Sequence, residues 1–122
     1  MADFNFSPMQ AYDKQVKVLS GSVPFNSSGV VTANNILGAT VARTGTGTYT
    51  CTLSAVYPEL LGFHVSILKA TAADLQPQVV SETVSTTKII TFKLLTGASP
   101  TDLAEAGKFL ISIVLKNSTI AP

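Results

Sequence analysis

From Thr48 to Leu53 the chain reads Thr-Tyr-Thr-Cys-Thr-Leu, an unbroken alternation of hydroxyl-bearing and bulky side chains. Successive side chains of a strand point to opposite faces, so this run puts Tyr49, Cys51 and Leu53 on one side and Thr48, Thr50 and Thr52 on the other. A helix would scatter the same residues around its circumference. The pattern recurs along the chain in short β-branched runs separated by Gly, Pro, Asn and Ser, while the three-to-four spacing of an amphipathic helix is almost absent. Strands are expected at 15–25, 30–33, 39–44, 48–54, 62–70, 79–85, 88–95 and 108–117. The stretches Asn26-Ser-Ser-Gly29, Asn34-Asn35, Gly45-Thr46-Gly47 and Gly97-Ala-Ser-Pro100 read as turns. Residues 58–62 and 99–107, each opening near a Pro and closing on a Gly, read as isolated helical turns.

About eight short strands with connections of unequal length imply an all-β fold. We expect a single antiparallel β-sandwich or jelly-roll-like domain at 14–122, preceded by an N-terminal arm at 1–13. Two later runs differ from Thr48–Leu53. In the last strand Phe109, Ile111, Ile113 and Leu115 line one face, yet Leu110 and Val114 lie on the other; Ile89 likewise opposes Ile90, Phe92 and Leu94. Strands apolar on both faces belong in the middle of a sheet that is covered on both sides. Part of the outer surface, or an arm laid over it, is therefore expected to be buried in an assembly.

Charge points the same way. Asp, Glu, Lys and Arg make up 12% of the chain, against about 25% in ordinary soluble domains, with Ser and Thr filling the polar positions. Mean hydropathy is +0.38. A hydroxyl-rich, weakly charged surface desolvates more cheaply than an ionic one. The eight basic and seven acidic residues are dispersed, so no cationic cluster exists to neutralise phosphates and no nucleic-acid partner is expected. The opening residues carry two acids and no apolar run, which does not read as a signal peptide. No stretch has the length of a membrane span, and no membrane partner is expected.

Candidate chemistry is sparse. Gly45-Thr46-Gly47 has the look of a phosphate loop, but a dinucleotide fingerprint needs a third glycine and a following helix, and here a strand follows. The single Cys51 and the single His64 form the one conceivable nucleophile and base. Yet Cys51 falls on the apolar face of its strand, and His64 alternates with Phe63 and Val65, which turns it outward with Ser66. The acids Asp3, Asp13, Glu59, Asp74, Glu82, Asp102 and Glu105 are scattered, with no spacing that pairs two carboxylates. Asn26-Ser-Ser and Asn117-Ser-Thr match a glycosylation acceptor sequence by chance in so Ser/Thr-rich a chain. We expect no enzyme, no cofactor and no metal site. The candidate partner-contact residues are instead Phe4, Phe6, Met9 and Tyr12, apolar anchors on the arm; they pack either on the chain's own sandwich or on a neighbour.

The segment Arg43-Thr-Gly-Thr-Gly-Thr-Tyr49-Thr-Cys-Thr-Leu53, followed by Tyr57-Pro-Glu-Leu60-Leu61 and the alternating Phe63-His-Val-Ser-Ile-Leu-Lys-Ala70, resembles a pattern in small virion proteins of tailed bacteriophages. There an Arg, a glycine turn and Tyr-Thr-apolar-Thr-Leu precede Tyr-x-x-Leu-Leu and a further strand. The run Asp13 to Val31 is similar to their opening strands, so the resemblance covers about half the chain, and Cys51 stands where those proteins carry a valine-like residue. The resemblance implies a capsid decoration (cement) protein. Its partners would be the major capsid protein and further copies of itself as a dimer or trimer. Its location would be the capsid surface of the virion, with the host cytoplasm occupied during assembly. A phage fibre, tail or glycan-binding sandwich module is the alternative. Such a module wants exposed aromatic platforms, and the chain has no Trp and three Tyr.

Overall fold

The computed structural model describes residues 16–72 and 74–116. They form two antiparallel sheets packed face to face. In chain order the strands are β1 (Val16–Phe25), β2 (Asn35–Ile36), β3 (Ala39–Gly45), β4 (Thr48–Leu53), β5 (Glu59–Lys69), β6 (Gln76–Glu82), β7 (Ile89–Thr96), β8 (Ser99–Pro100) and β9 (Gly107–Lys116). The first sheet has the order β2-β1-β9-β5 and the second β3-β4-β7-β6, with β8 paired to β7. The fold is the all-β sandwich that the alternation implies, and no helix occurs among the described residues.

The two strands that read as apolar on both faces are the central ones. β9 lies between β1 and β5, and β7 lies between β4 and β6. Their inner faces carry Phe109, Ile111, Ile113 and Leu115, and Ile90, Phe92 and Leu94, all buried. Tyr49, Cys51 and Leu53 face them from β4, while Thr52 on the opposite face is exposed. The middle of the core is aromatic. Phe109 lies 4.7 Å from Phe25, 5.0 Å from Tyr49 and 5.8 Å from Phe92, measured between ring centroids, and the last two contacts are edge-to-face. Such geometry sets the positive rim of one ring against the negative face of another and adds to simple burial.

Several local expectations are overturned, each by a tertiary contact. The helical turn expected at 58–62 is the start of β5: Glu59 and Leu60 pair with Lys116 and Leu115, and the ladder absorbs Leu61 as a bulge before Gly62. A five-residue helix offers too few internal hydrogen bonds to compete with a strand partner. The helical turn expected at 99–107 is also absent. Ser99 and Pro100 pair with Thr96 and Leu95, Leu103 is buried, and Asp102 is engaged elsewhere. The strand expected at 30–33 reduces to one bridge between Val31 and Phe25, because the Asn26 side chain accepts hydrogen bonds from the Ser28 and Val30 amides and curls the segment. Conversely, the turn expected at Asn34-Asn35 runs into β2, whose Asn35 and Ile36 pair with Ser22 and Gly21 of β1. β6 begins and ends three residues earlier than expected. Thr83 closes the following turn by accepting from the Thr86 and Lys88 amides.

Candidate functional site

The expected partner-contact residues Phe4, Phe6, Met9 and Tyr12 lie outside the described residues, as do Asp3, Asp13 and Asn117. Among the described residues the other candidates do not converge. Cys51 is fully buried on the inner face of the second sheet, and burial pushes its thiol up to about 12. The thiolate needed for attack is thus disfavoured. His64 is exposed on β5 of the first sheet, opposite Ser112 of β9. The backbone of the first sheet and the core stand between the two side chains. The acids are likewise engaged singly. Glu82 accepts from the Val84 amide, and Glu105 accepts from the amide and hydroxyl of Thr71 while lying 3.7 Å from Lys69. No group of three His, Cys, Asp or Glu side chains among the described residues is placed to hold a metal.

The glycine-threonine segment does meet a carboxylate, but one of its own chain. Arg43 closes a fork on Asp102, Nε to Oδ1 at 3.0 Å and a terminal nitrogen to Oδ2 at 2.8 Å. The Gly47 amide donates to the same Oδ1 at 2.8 Å. Gly47 also accepts at its carbonyl from the Leu94 amide. Two residues on, the Tyr49 hydroxyl donates to the Gly29 carbonyl at 2.5 Å, and burial pushes that phenol up to about 12. Arg43, Gly47 and Tyr49 therefore tie the β3–β4 hairpin to the Asn26–Gly29 turn and to the segment after β8. The motif that looked like a ligand loop is a structural joint. Asp102 is the partner that sequence reasoning missed; it lies 59 residues from Arg43, and no local pattern links them.

This joint makes stability depend on pH in a defined direction. The Arg43 hydrogen bonds, then the Gly47 amide, hold the Asp102 carboxyl below its ordinary value. A carboxylate lowered in the folded state stabilises fully above its unfolded pKa of about 4, and that contribution drains away as pH falls through the folded value. We expect Asp102→Asn to melt below the parent at neutral pH. The gap should narrow in thermal melts taken below about pH 4. A gap that stays constant down to acid would show that the pair's charge contributes nothing.

What remains is surface. Across β1, β9 and β5 the outer face carries aligned rows: Val18, Val114 and Gly62; Ser20, Ser112 and His64; Ser22, Leu110 and Ser66. None of these nine holds Asp, Glu, Lys or Arg. Lysines enter only in the flanking rows, as Lys116 beside Glu59 at one end and Lys108 beside Leu68 at the other. Leu110 and Leu68 are 44% and 51% exposed. The outer face of the second sheet is instead hydroxylated, with Thr52 aligned on Thr40 and Thr50 aligned on Thr91.

No protein-family model, curated protein or solved structure matches the chain.

Proposed function

We propose that the protein is a structural component of a phage particle, a decoration or cement protein that lies on the outside of the head and bridges capsid subunits. The observation that carries this reading is the uncharged outer face of β1, β9 and β5, whose central rows offer Val, Ser, Leu and a lone His to a partner. The sequence resemblance to small virion proteins supplies the class of partner. A protein that binds the assembled shell and not its separated subunits stabilises the shell by RT ln(1 + [L]/Kd) at every site, and many copies multiply the effect. On this reading the protein is not an enzyme and carries no cofactor. It associates with the major capsid protein and with itself as a dimer or trimer, in the host cytoplasm during assembly and on the virion afterwards.

The fibre or glycan-binding reading is weaker. Tyr49 and Tyr57, the two tyrosines among the described residues, are both buried and offer no stacking platform.

Added to heads that lack it, the purified protein should saturate at a copy number set by capsid symmetry and raise the temperature at which the heads break. Ser112→Lys places an ammonium in the middle of the uncharged rows. It should weaken head binding by about 100-fold or more, because a buried unpaired charge costs several kcal/mol. The substitution should leave the protein's own melting nearly unchanged, since it removes no core contact. Undiminished binding by Ser112→Lys would move the contact to another face, and failure to bind any head of its own phage would end the reading.

A further inference from the structure

The sandwich is open along one side. β5 ends the first sheet and β6 ends the second, and among the described residues no strand pairs with the outer edge of either. The inner-face residues there are only partly covered: Phe63, Val65 and Ile67 of β5, Leu75, and Val79 of β6 pack on the core yet remain half-buried. Their counterparts on β9 are 0–3% exposed. Two hollows follow this seam. One of about 290 Å³ is bounded by Phe63, Val65, Pro77, Val79 and Phe92. Another, of about 270 Å³, is bounded by Val65, Ile67, Leu75 and Pro77. They share Val65 and Pro77 and so form one groove beside a strand edge, with apolar side chains from both sheets and polar ones, among them Gln78 and Lys69, along it. From Gly62 to Lys69 the ladder to β9 runs without a bulge, so alternate amides and carbonyls of β5 project from the free side. A long regular edge of this kind is a template for another strand.

We infer that the groove is filled by the chain's own N-terminal arm, residues 1–13, added antiparallel to the free edge of β5 with Phe4 and Phe6 in the seam. Three observations carry this. The first is where the arm enters. Val16 pairs with Lys116, which pairs in turn with Glu59, so the arm joins the sandwich at the end where β5 begins. Three strand spacings, about 14 Å, separate that point from a strand added outside β5, and four or five residues cross it. The second is length and direction. The ten or eleven residues that remain, extended at about 3.3 Å each, reach about 33–36 Å, close to the length of the eleven-residue β5. β1 and β5 run in the same direction, so an arm folding back along the edge runs opposite to β5. The third is pattern. Asp3-Phe4-Asn5-Phe6-Ser7 alternates polar and aromatic, which sets both rings on one face of a strand, the face that meets the groove. Pro8 lacks an amide hydrogen and is tolerated in a strand with one free side. This inference stands apart from the decoration reading and holds whether or not the protein binds a phage head.

Hydrogen exchange of the full chain, read by mass spectrometry at two protein concentrations, tests it. Peptides covering 59–69 should be protected equally at both concentrations. The double variant Phe4→Ser, Phe6→Ser should raise their exchange by about tenfold while β4, β7 and β9 stay protected. Asn5→Pro keeps the aromatics but cannot pair as the parent does, and should produce the same local loss. Neither variant touches the described core, so a folded control is assured. Unchanged exchange over 59–69 in both variants overturns the inference. Protection that falls on dilution overturns it as well, because the arm would then come from a second copy.

Discussion

Phe109→Ala should destabilise the protein by about 4 kcal/mol, the range found when a fully buried aromatic is truncated. Phe109 is 0% exposed, lies on the central strand of the first sheet, and touches rings from β1, β4 and β7. No neighbour can collapse into the space without leaving its own strand position, so most of the cavity stays open. Against a total stability of about 5–15 kcal/mol for a domain of this kind, the variant would sit near the margin. Urea titration at constant temperature measures it: the midpoint should drop with little change in slope. Phe109→Leu, which keeps most of the volume, should cost about half as much. A loss under about 1 kcal/mol for the alanine variant would mean that the two sheets do not meet at this ring.

Gly47→Ala should be nearly as severe, at about 3 kcal/mol, for a different reason. Gly47 has φ of 58°, a left-handed conformation costing a side-chain-bearing residue about 1 kcal/mol. An added Cβ would also fall 2.5 Å from the Thr101 nitrogen and 2.7 Å from its oxygen. Those atoms are backbone. They are held by the bond from the Thr101 amide to the Leu94 carbonyl and by that from the Leu94 amide to Gly47 itself, so relief means breaking the joint that Asp102 completes. Gly97 separates the two effects. It also has positive φ, but nothing lies within 4 Å of where its Cβ would be, and Gly97→Ala should cost only the conformational part, about 1 kcal/mol. Equal melting temperatures for the two variants would remove the close approach from the account.

Much of the strand layout was legible because alternation is a local signal. Thr48–Leu53 shows its buried and exposed faces in six letters, and the two-faced apolar runs at Phe109–Leu115 and Ile89–Leu94 mark the central strands of the two sheets. The misreadings fell where a local signal was real but weak. Pro58 and Gly62 do frame a helical turn, yet Lys116 and Leu115 offer the same residues a ladder. Pro100 and Gly107 frame another, yet Ser99 and Pro100 pair with Thr96 and Leu95 while Arg43 and the Gly47 amide engage Asp102. His64 was legible as an outward residue and Cys51 as an inward one, each from its neighbours alone.

The order of side chains along each ribbon, and hence which face of each strand is greasy, was written in the sequence, because a strand's period is a property of two adjacent residues. Which ribbons lie side by side was not. The Arg43–Asp102 fork, the burial of the Tyr49 hydroxyl on Gly29, the uncharged rows of the outer face and the open seam between β5 and β6 all join residues far apart in the chain. Only the pairing of strands within each sheet and the packing of one sheet on the other set those distances.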